Sequence, residues 1–316
     1  MRSVPSWVLI AAASAGLAAC ASATAGSGDD DGADAAGRAD ARAGVDGPVG
    51  TGGDVDAATP RPDAAPSNPD AAPMTVNGAI RLVLTEVSLG PTGGEFVEIA
   101  NPTASAVMLD RYYLSDVPTY FRIPASTQTV DSADFVARFP AGSSIPARGV
   151  ITIALDTAAS FTTATGVAPT FSIAGGTMPL VASSGTPSLT NAGEMVALFY
   201  WDGSSDRVVD VDVMVVGVPT AANDIVNKSL IAIDGPDADG TASPYLSEAT
   251  SMPLQTAAPG NGLSTKRLLP ETGHEPQGGG SNGVGGDDET AETTTTTWDA
   301  TFTAPTPGVV PAALMP

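Results

Sequence analysis

From Ile80 onward the chain falls into short β-branched and apolar runs separated by Gly, Pro, Asn and Asp, the texture of an all-β domain. The first run is Ile80 to Val87. The second, Glu95-Phe96-Val97-Glu98-Ile99, puts Val97 and Ile99 on one face and Phe96 and Glu98 on the other. Val107-Met108-Leu109, Tyr112-Tyr113-Leu114 and Val150 to Leu155 follow. Glu194 to Trp201 and Arg207 to Val216 flank Asp202-Gly203-Ser204-Ser205, which carries hairpin chemistry. Asp210 and Asp212 alternate with Val209, Val211 and Val213, so one face of that strand is expected to meet water. Helical signal is thin: residues 132–139 predict a turn or two before Pro140 stops them. Trp298 to Phe302 reads as a closing strand after the loop-rich stretch 260–297. This many short strands predicts two antiparallel sheets packed face to face.

The residues before Ile80 have a different texture. Arg2 precedes an apolar run, Trp7 to Leu17, that is too short for the roughly 20 residues of a spanning helix and reads as an export signal. It ends in Leu17-Ala18-Ala19-Cys20, and Cys20 is the only cysteine of 316 residues. Residues 21–79 are dominated by Ala, Gly, Asp and Pro, with ten Asp against three Arg and Pro-Asp-Ala-Ala-Pro occurring twice. Such a segment lacks the apolar side chains that offset ordering entropy, so a disordered tether is expected. As a coil of about 60 residues it reaches roughly 40–45 Å.

Charge narrows the classes of partner. Thirteen Lys and Arg against 35 Asp and Glu give a net charge of −22, and tether and domain are both acidic. Nucleic-acid backbones and anionic headgroups are therefore unsuitable partners, because each requires clustered cations. Attachment to a membrane would have to come from a lipid.

Two resemblances follow from these residues. Leu17-Ala18-Ala19-Cys20 resembles the lipobox of bacterial lipoproteins, which implies cleavage before Cys20 and acylation of its thiol. The domain resembles the lamin tail domain in Leu84 to Val87, Glu95 to Asn101, Leu109 to Asp116, Phe139 to Gly142, Ile145 to Gly149, Ser188 to Glu194, and the closing Trp298 with Thr306-Pro307-Gly308. Tyr112 stands where that family mostly has Trp, and Arg111 where Gly is usual. The resemblance implies an immunoglobulin-like β-sandwich with long loop insertions near 117–138, 156–187 and 220–297, and a role in attachment without catalysis. Lipobox, tether and domain together look like lipoproteins of myxobacteria and their relatives. The expected organisation is a signal peptide at 1–19, a lipidated tether at 20–79, the sandwich at 80–310 and a short tail at 311–316. Ala21, rather than Asp, after the cysteine implies the outer membrane of the cell envelope, with surface exposure open.

Catalytic motifs are sparse. The single histidine, His274, lies in a loop, no Gly-x-Ser-x-Gly turn accompanies it, and zinc lacks the His and Cys ligands it needs. Glu86, Glu95 and Glu98 are expected as exposed or hydrogen-bonding positions rather than as an acid–base pair. Asn227-Lys228-Ser229 is a sequon with no consequence in a bacterial lipoprotein. Calcium is the cofactor left open. Asp234, Asp237 and Asp239 cluster in a Gly-rich turn, as hard oxygen ligands must. The EF-hand pattern is incomplete, with Tyr245 where a Glu is needed, and Asp287-Asp288-Glu289 forms a second acidic knot.

The reading is a non-catalytic, lipid-anchored envelope or surface protein. Its sandwich loops would bind an unidentified envelope or extracellular protein or glycan. The alternative is an envelope hydrolase or metal-dependent enzyme with its site in the 220–297 insertion. Geometry separates them: an enzyme gathers its carboxylates and His274 in one concave pocket.

Overall fold

A computed structural model describes residues 79–218, 225–248, 255–269, 282–310 and 312–315. The expectations for residues 1–78, including Leu17, Ala18, Ala19 and Cys20, and for His274 lie outside the described residues. Strands dominate, as the runs predict. They are β1 (Val83–Ser88), β2 (Phe96–Ala100), β3 (Val107–Met108), β4 (Tyr112–Ser115), β5 (Phe135–Arg138), β6 (Ser144–Ile145) and β7 (Val150–Ala154). Further along come β8 (Phe171–Ser172), β9 (Leu180–Ser183), β10 (Gly193–Tyr200), β11 (Val209–Gly217), β12 (Ala232–Ile233), β13 (Ser243–Pro244) and β14 (Thr265–Lys266).

Two five-stranded sheets organise the chain. The first runs β14-β1-β2-β7-β8 and the second β11-β10-β4-β5-β9. One buried apolar cluster draws on both: Leu84, Val97, Ile99, Ile151 and Ile153 from the first, with Tyr112, Leu114, Val196, Leu198 and Val211 from the second. Val97 and Ile99 face this core as expected, while Phe96 turns outward onto Phe161 with ring centroids 5.5 Å apart. Phe161 belongs to α1 (Ala158–Thr165), a helix with no periodic signal in the sequence. It is started by the Thr157 side chain accepting from the Ser160 N–H and ended by Gly166 in the left-handed region.

Four expectations change. Residues 135–138 form a strand between β4 and β9 rather than a helical turn, because Phe135 and Ala137 enter the shared core with strand alternation. β7 and β8 pair in parallel, so the first sheet is not wholly antiparallel. Trp298 and Thr303 make only single bridges, to Arg267 and Ser264, where a closing strand was expected. The fourth concerns β11, whose expected wet face is buried throughout.

A bulge explains that burial. In the β10–β11 ladder Leu198 pairs with Asp212 and Phe199 with Asp210, so Val211 is the extra residue. Val211 and Met214 face the shared core, whereas Val213 and Val215 face a second buried cluster on the sheet's outer side. Asp210 and Asp212 therefore leave β11 on opposite faces, and each meets a buried cation.

Arg267 neutralises Asp212. Its guanidinium donates to Asp212 at 2.8 and 3.0 Å, to Glu292 at 3.0 Å and to the Leu84 carbonyl at 2.8 Å, and lies 5.0 Å from the Trp298 ring. Asp212 also accepts the Leu84 N–H at 2.6 Å. One side chain thus joins β1, β11 and the closing segment without exposure to solvent. Arg267→Ala should cost about 3–5 kcal/mol, since it leaves two buried carboxylates unpaired; urea unfolding measures it, and a loss within the range of surface substitutions contradicts the role given to Arg267.

Candidate functional site

Besides Asp212 and Glu292 on Arg267, three groups of carboxylates stand out among the described residues. The most enclosed is on the outer face of the second sheet. There Tyr120 and Phe121, from the turn Tyr120–Ala125, pack with Val226, Ile233 and Tyr245 of the insertion over Phe199 and Val213. Tyr120 stacks on Phe199 at 4.9 Å. Into this aromatic layer enters Lys228, fully buried, with Nζ 2.5 Å from Asp210 Oδ2 and 2.6 Å from Glu248 Oε1. Asp210 Oδ1 accepts the Tyr120 hydroxyl at 2.5 Å. Asn282 fixes Glu248 by donating to Oε1 at 2.8 Å, and Glu248 Oε2 is buried with no hydrogen-bond partner. Burial works to lower the pKa of Lys228, but Asp210 and Glu248 outweigh it and raise it; burial raises Glu248 against the pull of Lys228.

The second group is the acidic turn. Carboxylate oxygens of Asp206, Asp234 and Asp237 lie within 4.8 Å of one another. Asp206, just after the Asp202–Ser205 loop, is 1% exposed. Its Oδ1 accepts the Gly235 N–H at 2.6 Å, and its Oδ2 is buried without a partner. Asp234 and Asp237 therefore stand where the sequence grouped them. Asp239 is absent from the group and accepts the N–H groups of Gly240 and Thr241 at 2.9 and 2.7 Å. Asp206 was not expected there, because it lies 28 residues upstream and only the pairing of hairpin tip and insertion brings it in.

Glu86 and Glu98 form the third group, directly opposite each other across β1 and β2. Both are buried, so the hydrogen-bonding alternative of the sequence reading applies and the exposed one does not. Glu86 accepts the Ser264 hydroxyl at 2.5 Å, the Thr306 N–H at 2.8 Å and the Thr306 hydroxyl at 3.0 Å. Glu98 accepts the Gly308 N–H at 2.5 Å and the Thr85 hydroxyl at 3.0 Å. The pair clasps Thr306-Pro307-Gly308 against the first sheet. Glu95 is likewise buried, and burial pushes both Glu95 and Glu98 up to about 7. Asp287 and Glu289 of the other acidic knot both pair with Arg81, the latter at 3.1 Å.

An open groove of about 470 Å³ lies beside α1, lined by residues including Thr92, Asp156, Ser160 and Thr163. None of the three carboxylate groups lines it. Comparison with family models, with curated proteins and with solved structures finds no match to this chain.

Glu98 makes a pH prediction. Its folded pKa exceeds its unfolded one, so the folded state holds the extra proton and stability falls as pH rises from about 4.5 to about 7. Glu98→Gln should remove this share of the slope, on the order of 1–3 kcal/mol. Unfolding curves of both proteins across that range measure it; parallel pH profiles refute the assignment.

Proposed function

We propose that the chain is a non-catalytic, lipid-anchored envelope protein whose domain is an immunoglobulin-like sandwich of the lamin tail type and serves in attachment. One observation carries this reading: among the described residues, acids of the 220–297 insertion are dispersed onto separate structural partners. Glu248 is on Lys228, Glu292 on Arg267, Asp287 and Glu289 on Arg81, and Asp234 beside Asp206. A hydrolase would bring such groups together around one concave space.

The motifs that carry the lamin-tail resemblance also touch one another in pairs, which supports the family reading. Glu86 and Glu98 hold Thr306 and Gly308. Asn101 donates to the carbonyls of Ile145 and Pro146 at 3.2 and 2.9 Å. Asp110 accepts from the Gly142 N–H. An accidental scatter of weak motifs has no reason to be linked by side-chain hydrogen bonds.

The anchor is tested on Cys20. Expressed in a bacterial host and fed an alkyne fatty acid, the wild type should take up label and sediment with the envelope, whereas Cys20→Ser should stay unlabelled and soluble. An unlabelled, soluble wild type refutes the anchor.

We also infer that calcium is held by Asp206, Asp234 and Asp237, tying the β10–β11 hairpin tip to the insertion. The partnerless Oδ2 of buried Asp206 supports this, because a buried carboxylate oxygen without a donor is costly unless a cation meets it. Calorimetry of the full chain should show calcium uptake and a raised Tm, both lost in Asp206→Asn. No heat and no shift in the wild type remove the site.

A further inference from the structure

We propose that Asp210 and Lys228 become joined by an intramolecular amide bond between Cγ and Nζ, with Glu248 as the proton relay. The inference is independent of what the domain binds. It rests on four features of the cluster. Amine and carboxylate are in direct contact, as a charge-assisted pair. Both are shut away from the water that would compete as nucleophile or reverse the reaction, Lys228 at 0% and Asp210 at 1% exposure. The Tyr120 hydroxyl donates to Asp210 Oδ1, the oxygen that becomes the amide carbonyl and carries negative charge as the bond forms. Glu248 touches the same nitrogen through Oε1 and keeps a buried, partnerless Oε2 ready to carry a proton.

The step balances without any co-reactant. Lys228 begins as ammonium and Asp210 as carboxylate. One proton passes from Nζ to Asp210 Oδ2 across their direct contact, giving neutral amine and acid. The nitrogen lone pair attacks Cγ, and the carbonyl electrons move onto Oδ1 against the Tyr120 hydroxyl. Glu248 takes a second proton from nitrogen and delivers it to Oδ2. As the carbonyl re-forms, the Cγ–Oδ2 bond breaks and water leaves. The ammonium, with three protons, has become an amide nitrogen with one; the other two are in the water, and Glu248 is a carboxylate again. Holding amine and carboxylate side by side supplies much of what an intermolecular amide synthesis lacks.

The consequence is a covalent link between β11 and the inserted segment that covers its outer face. In a chain with a single cysteine no disulfide within the chain can supply that link. The Asn282 bonds to Glu248 and Leu246 hold the relay in register.

Trypsin gives a direct test, since Arg207, Lys228 and Lys266 are consecutive cleavage sites. Digestion of the denatured full-length chain should give one fragment spanning 208–266, lighter by one water than its sequence requires. Cleavage after Met214 and Met252 should release 253–266 and leave 208–214 attached to 215–252. Unlinked fragments 208–228 and 229–266 at full mass, with no joined species, overturn the proposal. Lys228→Arg should restore separate fragments, and Glu248→Gln should leave the bond unformed or greatly slowed. A bond that forms as completely in Glu248→Gln overturns the relay. The wild-type digest decides the main point whether or not either variant folds.

Discussion

The β-bulge at Val211 is the constraint from which the rest of the molecule follows. Without it Asp210 and Asp212 would share one face of β11, as their spacing in the sequence suggests. With it, Asp212 enters the region between the sheets and Asp210 the aromatic layer outside. Two carboxylates are then buried in different places, and an unpaired buried charge is too costly for a domain of marginal stability. Each requires its own cation, and the chain supplies Lys228 from one part of the insertion and Arg267 from another. Long loops that would otherwise hang from the sheet are thereby bound to it on both sides.

The same economy of charge runs through the domain. Glu86 and Glu98 are buried in the first sheet and satisfied by the chain's closing residues, just as Asp212 is satisfied by Arg267. The insertion also covers the free edge of β11, with Thr256 and Gly283 bridging to Val216 and Asp210. An uncovered edge would offer its N–H and C=O groups to other chains. Individual acids of this acidic chain thus serve inside the fold as attachment points for segments with little apolar surface of their own.

How much of this was legible in the sequence depends on the range of the cause. Val97 and Ile99 announce the core face of β2 because alternation is local, and Asp202-Gly203 announces its hairpin for the same reason. Phe135 to Arg138 misled, because Ser and Asp before an apolar stretch suit a helix cap as well as a strand entry, and only pairing with β4 and β9 decides. The bulge could not be read, since nothing within Val209 to Val213 marks Val211 as the extra residue. Of the acidic turn, Asp234 and Asp237 were visible as neighbours, while Asp206 joins them through tertiary contact. Lys228 gave a faint signal: a lone lysine in a stretch otherwise without cations between Arg207 and Lys266.

Hydrogen exchange, segment by segment, tests the bulge most directly. Asp210→Ala should speed exchange in residues 225–248 and leave 255–269 and 288–298 near wild type. Asp212→Ala should do the reverse. The same segments loosening in both variants would mean that the two aspartates share a face, and the account of β11 given above would fail.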